Sequence, residues 1–389
     1  MSLVEAAVAV VAPRRELDLE VSPRPAHHAN DTKSKFQNPW PSFRNQTPAQ
    51  WANFFAGSIR NAPAIPNDLS TQIPSVAPNW GINSDPTSIK ATWLGHACYV
   101  VELPTPDGAT RGPRVIFDPV LSHRCSPSQW IGPQRLTVRP CDVHDIPVID
   151  AIVLSHNHYD HMDSPTLRAL YELHHPQVFA PLGNLPYFLS LGVARSNIHI
   201  LDWWETRQVS IPLSGHATGE HSSTPVKASF THALGLLGHR RSARSQRWAT
   251  RAQGRSDMPP PRGAKKVYFA GDTGYRTVFE GEDEDAVPVC PAFAEIGERF
   301  GGFDLALLPI GAYSPRSMWS NLHASPGDSV RIFKDVRAKK ALAMHWGTWV
   351  LTAEPIMEPP ALLKEECVKA GLQQGDFDIC ALGETRVIL

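Results

Sequence analysis

A chain of 389 residues with 42% hydrophobic content has room for one large domain or two smaller ones, with a substantial core. Its formal net charge of -1 excludes a global field built to attract a polyanion. The six cysteines are scattered with no C-x-x-C pair, which argues against a disulfide scaffold and a thiolate zinc site and points to a reducing, intracellular compartment.

Residues 1–35 lack periodicity and read as a disordered N-terminal segment. The apolar stretch Ala6–Ala12 precedes Arg14 and Arg15 and follows Glu5, the wrong order for a secretory signal. No apolar run of about 18 residues predicts a membrane span. From Lys35 the stretch K-F-Q-N-P-W-P reads as an extended arm laid over a core. Strand patterns follow at Ser88–Leu94, Cys98–Val101, Arg114–Asp118, Ala151–Leu154, Gln177–Ala180, Ile198–Leu201 and Val209–Leu213. More come at Lys266–Ala270, Leu305–Pro309, Ala341–His345, Phe377–Leu382 and Thr385–Leu389. Helices are expected at Asp163–Leu173, Pro186–Leu191, Pro291–Phe300, Pro326–Val336 and Pro360–Ala370. Ser325-Pro326-Gly327-Asp328 supplies a cap, a first-turn proline and an acid at N3. Strands first, then alternating helices and strands, suit an α/β architecture of two sheets between helices. The domain is expected over residues 36–389, with an atypical basic insert at about 226–264.

The densest chemistry is Ser155-His156-Asn157-His158-Tyr159-Asp160-His161, directly after the apolar run Ala151–Leu154. Imidazole and carboxylate together suit zinc. A turn leaving a strand end can aim His156 and His158 one way and Asp160 and His161 the other, a geometry for two adjacent metals. The bland alternative is a solvated histidine-rich loop. Two more apolar strands end in ligand residues, Lys266–Ala270 before Asp272 and Ala341–Met344 before His345. His216 follows Val209–Leu213 and is favoured over nearby His221 as the remaining histidine. The expected set is two zinc ions. His156, His158 and His216 hold one, Asp160, His161 and His345 hold the other, and Asp272 bridges. Asp160 and Asp272 are expected to serve catalysis as well, Asp272 by orienting the hydroxide between the metals.

The H-x-H-x-D-H pattern resembles the signature of the metallo-β-lactamase-fold hydrolases. Asn38-Pro39-Trp40-Pro41, Trp93-Leu94-Gly95-His96-Ala97, Asp118 to Pro127 with Trp130 to Arg135 behind it, Phe269 to Tyr275, and Met344-His345-Trp346-Gly347-Thr348 narrow this. They resemble the N-acylphosphatidylethanolamine-hydrolysing phospholipase D family. The resemblance runs from about residue 36 to 383. It implies a four-layer αββα sandwich, a binuclear zinc site and a phospholipid substrate at a membrane surface. Cleavage gives an N-acylethanolamine and phosphatidic acid. It implies a peripheral protein, cytoplasmic or on an organelle membrane such as the mitochondrion, and admits a homodimer. It also implies that His323 contacts the substrate near the phosphate. His96 is expected to support the site rather than to bind metal. Trp203, Trp204 and Trp319 are candidates for a lipid-facing mouth or for core packing.

The family usually has H-x-S-x-R after its third histidine, then a strand bearing a tryptophan pair. Here His216-Ala217-Thr218-Gly219-Glu220 lacks the arginine. The glycine-, proline- and arginine-rich stretch 226–264 is expected to be poorly ordered and to lack that strand. Alternatives are a hydrolase of a soluble lactone or phosphodiester, and an inactive zinc-binding homologue. A nucleic-acid partner is not expected, because the stretch Arg240–Arg262 interleaves no aromatic beyond Trp248.

Overall fold

The computed structural model describes residues 26–58, 63–211, 213, 226–233, 247–253 and 265–389. The first sheet comprises β1 (Ile89–Gly95), β2 (Cys98–Glu102), β3 (Arg114–Phe117), β4 (Ala151–Val153), β5 (Gln177–Pro181) and β6 (Ile198–Leu201), with β14 (Thr385–Ile388) beside β1. The second comprises β7 (Thr206–Ile211), β8 (Val226–Ala233), β9 (Arg247–Gln253), β10 (Lys266–Phe269), β11 (Leu305–Pro309), β12 (Ala341–Met344) and β13 (Phe377–Asp378), in that order across the sheet. The helices are α1 (Pro48–Ser58), α2 (Leu69–Gln72), α3 (Ser164–His174), α4 (Leu185–Ser190), α5 (Ala292–Phe300), α6 (Arg316–Trp319), α7 (Pro326–Asp335) and α8 (Glu358–Lys369).

The parallel strands β3–β5 and β10–β12 are largely buried on both faces, so they read as continuous apolar runs such as Ala151-Ile152-Val153 and Leu305-Ala306-Leu307-Leu308. The sheets pack face to face through aromatic pairs. Phe117 meets Phe269 at 4.7 Å and Phe179 stacks on Phe230 at 4.0 Å. Leu167, Leu170 and Phe188 close the outer face of the first sheet over Ile116, Ile152 and Val178. Phe293, Ile296, Val330 and Phe333 of α5 and α7 pack with the strands of the second. The order of layers is the expected αββα. The cap on α7 also forms, with Ser325 accepting from the Asp328 amide at 3.3 Å.

Two expectations are corrected. Within the stretch 226–264, β8 and β9 are paired interior strands of the second sheet, between β7 and β10, joined from Lys227↔Gln253 to Ala233↔Arg247. The arginine content hid a period-2 pattern, Val226, Ala228 and Phe230 alternating with Lys227, Ser229 and Thr231. Ala228 and Phe230 are buried between the sheets. Residues 234–246 and 254–264 lie outside the described residues. The N-terminal segment is likewise ordered from residue 26. His27 and His28 are buried, and their Nε2 atoms lie 2.8 and 2.7 Å from the two oxygens of Asp202. Trp203 stacks between His27 at 3.9 Å and Trp40 at 5.5 Å, so it is core rather than mouth. Burial alone would raise the Asp202 carboxyl. The hydrogen bonds from His27 and His28 hold it below the usual carboxylate range. Its contribution to holding the arm is therefore complete above about pH 4 and fades only below that. The segment 1–25 lies outside the described residues.

Candidate metal centre

The parallel strands β3, β4, β10 and β12 all deliver a polar residue at their carboxyl ends, on one edge of the sandwich. This is where open parallel sheets place their sites. Asp118 follows β3 in the left-handed region (φ 39°). Ser155, just after β4, donates its amide to Asp118 Oδ1 at 2.7 Å and its hydroxyl to Oδ2 at 2.5 Å. His161 Nδ1–H donates to the same Oδ2 at 2.7 Å. That bond fixes the proton on Nδ1 and leaves the Nε2 lone pair for a ligand. Sequence reasoning gave Asp118 no role, although its strand Val115-Ile116-Phe117 ends in an acid as the Asp272 strand does.

The ligand atoms fall into two lobes around one carboxylate. His156 Nε2 lies 2.9 Å from His158 Nδ1 and 3.5 Å from Asp272 Oδ2. On the other side, Asp272 Oδ1 lies 3.0 Å from His161 Nε2 and 2.8 Å from His345 Nε2. Asp160 Oδ2 sits 3.4 Å from His161 Nε2 and 3.8 Å from His345 Nε2. Two donors on one tetrahedral zinc at about 2.0–2.1 Å stand about 3.3 Å apart, so these separations fit metal lobes. His161 Nε2 and His345 Nε2 are buried and accept no hydrogen bond among the described residues. The structure thus brings together six of the seven expected ligands. His216, like His221, lies outside the described residues.

Charge points the same way. Burial would lower the His161 imidazole, but Asp272, Asp160 and Asp118 outweigh it and push it well above its ordinary value. Burial would likewise raise Asp272 and Asp160, and the surrounding histidines hold both well below the carboxylate range. Three carboxylates enclosed this way require a cation beside them, either a proton or a metal.

His96 supports this set without joining the pair of lobes. Its Nε2–H donates to Asp160 Oδ2 at 3.1 Å, and its carbonyl accepts the His345 amide at 3.0 Å. Burial lowers its pKa to about 3, so the ring is neutral. His323 stands at the rim, its ring 5.2 Å from that of His345 and its Nδ1 3.9 Å from Asp272 Oδ2. Burial drops His323 to about 4, so it too is neutral at working pH. Trp319 lies 6.1 Å from His323, with Trp51 and Phe54 of α1 packed edge-on against it. Trp319 was a candidate for the mouth, whereas Trp51 and Phe54 carried no such expectation, because α1 has little alternation of polar and apolar residues.

The fold and this arrangement define a metal-dependent hydrolase of the metallo-β-lactamase type. The model of the beta-lactamase superfamily domain matches residues 113–346. The chain is 31% identical over 311 residues to "N-acyl-phosphatidylethanolamine-hydrolyzing phospholipase D 1" of Caenorhabditis elegans, covering 77% of each protein. It is 30% identical over 372 residues to "N-acyl-phosphatidylethanolamine-hydrolyzing phospholipase D, mitochondrial" of Saccharomyces cerevisiae, covering 85% of this chain and 70% of the yeast protein. An uncharacterised Mycobacterium tuberculosis protein is 33% identical over 290 residues, and the match spans 66% of its length. The chain therefore belongs to the beta-lactamase superfamily and, within it, to the N-acylphosphatidylethanolamine-hydrolysing phospholipase D family.

Proposed function

We propose that this chain is a two-zinc phosphodiester hydrolase that cleaves N-acylphosphatidylethanolamine to an N-acylethanolamine and phosphatidic acid. The observation that carries the proposal is the division of Asp272, one oxygen toward His156 and the other toward His161 and His345. A carboxylate so placed serves two cations at once. His156 and His158 would hold one zinc ion and Asp160, His161 and His345 the other, and metal bound there would provide a nucleophile from water at neutral pH and positive charge for the phosphate oxygens. Asp272 orients the attacking water. Asp160, held by His96, keeps one oxygen on its lobe. Neutral His323 offers a ring nitrogen at the rim for a phosphate oxygen. The worm and yeast relatives carry the lipid substrate in their names, and the same substrate is proposed here. The yeast name also supports an organelle membrane as the place of action. Among the described residues no helix is long and apolar enough to cross a membrane. The test is incubation of metal-replete protein with the lipid, which is expected to give equimolar N-acylethanolamine and phosphatidic acid. Turnover of only a water-soluble diester would overturn the substrate assignment.

A specific observation bears on the histidine that completes the first lobe. β7 runs away from the metal edge and ends at Ile211, paired with Val226. β8 then returns about 25 Å, eight residues at about 3.3 Å each, and brings His232 level with Trp248, the partner of Phe269. Spacing favoured His216, whereas this strand course favours His232. Metal analysis of His216→Ala and His232→Ala separates them. His232→Ala is expected to hold about one zinc and His216→Ala about two, and the reverse result restores His216.

A further inference from the structure

Trp130 and Ile131 are 90% and 69% exposed, and Val138 nearby is 74% exposed. They lie on one loop. From Pro119 to Cys141 that loop has no acidic residue and carries Arg124, Arg135 and Arg139. We infer that this loop docks the protein on an anionic lipid bilayer, with Trp130 and Ile131 as its inserted tip. The inference rests on the lipid substrate proposed above and names how the site reaches it.

The tip is held out rather than left loose. Arg124 Nη1 donates to the Gly132 carbonyl at 2.6 Å, and Gln129 Nε2 donates to the Arg124 carbonyl at 3.0 Å. Arg124 and Gln134 form a backbone bridge across the loop. Gly132 turns the chain at φ 100°, where a side chain would meet Ser126 Cβ at 2.7 Å. The buried Arg135 ties the base down through the Val120 carbonyl at 2.8 Å. The Leu136 amide donates to the Thr348 carbonyl at 2.8 Å, three residues after His345. The other end of the loop starts at Asp118, the acid that holds His161. Tip and metals therefore share one edge of the sandwich, so a bilayer meeting the tip also faces the site.

Composition selects the occupant. Tryptophan favours the membrane interface, where one side of the ring is apolar and the other wet. Exposed Arg139 and partly exposed Arg124, with no acid between them, match anionic headgroups. One aromatic and one aliphatic side chain make marginal anchorage alone, so apolar insertion and basic charge are both required.

The test uses holoenzyme with vesicles of phosphatidylcholine alone or containing one-fifth phosphatidic acid, read by cosedimentation. Binding is expected to be stronger with phosphatidic acid. Trp130→Glu/Ile131→Glu is expected to lower partitioning by about tenfold or more, and Trp130→Ser/Ile131→Ser by less. Both variants should keep the wild-type kcat/KM on a short-chain diester below its micelle concentration. The inference is overturned if the double glutamate variant partitions as the wild type does, or if the wild type ignores both vesicles. Equal loss of short-chain activity would also overturn it, as would self-association of the wild type that the variant abolishes. Tip-dependent binding by a protein that leaves N-acylphosphatidylethanolamine intact upholds the docking and overturns the substrate assignment instead.

Discussion

Asp272→Ala is expected to empty both metal positions together and to lower kcat/KM by roughly 10³-fold or more. Loss of a single preorganised charge contact in an active site already costs about 10²–10³-fold. Asp272 contributes to both lobes, because its two oxygens face different histidines. His345→Ala provides the contrast. His345 faces Asp160 and one oxygen of Asp272, so its loss should release one metal in preference to the other. Elemental analysis of the two variants checks this. About one zinc retained in Asp272→Ala, with near-normal occupancy of the other lobe, would show that Asp272 does not bridge.

Removal of metal is expected to lower the melting temperature by about 5–8 °C. A ligand at a hundred times its Kd stabilises the folded state by about 2.7 kcal/mol, so two metals contribute roughly 5 kcal/mol. At about 2.1 cal/mol/K of unfolding entropy per residue, each kcal/mol moves Tm by about 1–1.5 °C in a chain of this size. The underlying physics is the buried charge. Asp118, Asp160 and Asp272 are all held in the centre, and without a cation only protonated imidazole offsets them. Calorimetry before and after chelation measures the shift, and restoring zinc should reverse it. An unchanged Tm would mean that the carboxylates are satisfied without metal.

Much of the centre was legible because each ligand rides on a short buried strand. Ala151-Ile152-Val153, Lys266–Phe269 and Ala341–Met344 announce themselves as apolar runs, and the polar residues at their ends must then share one edge of parallel sheets. Asp118 obeys the same rule and was passed over because no second ligand stands beside it in sequence. The strands β8 and β9 were missed for a different reason. Lys227, Arg247 and Arg251 made the stretch look like a solvated loop, while Val226, Ala228 and Phe230 occupy every second position of β8, and β8 and β9 together join β7 to β10. Strand direction is not written in spacing either. Proximity of His216 to the end of a strand pattern says nothing about which end of the sheet that strand reaches. The ordered stretch that precedes the arm was invisible for lack of a local signature, since His27 and His28 meet Asp202 about 175 residues away.

Hydrolysis of N-acylphosphatidylethanolamine by metal-replete protein in oxygen-18 water, with both products analysed by mass spectrometry, tests the two-metal phosphodiesterase most directly. Water oxygen should bond to phosphorus as the phosphorus–oxygen bond to the ethanolamide breaks. The phosphatidic acid should then carry one oxygen-18, and the N-acylethanolamine should leave unlabelled with a proton on its hydroxyl. Label in the N-acylethanolamine would mean carbon–oxygen cleavage, and absence of turnover would remove the lipid as substrate; either result contradicts the assignment made here.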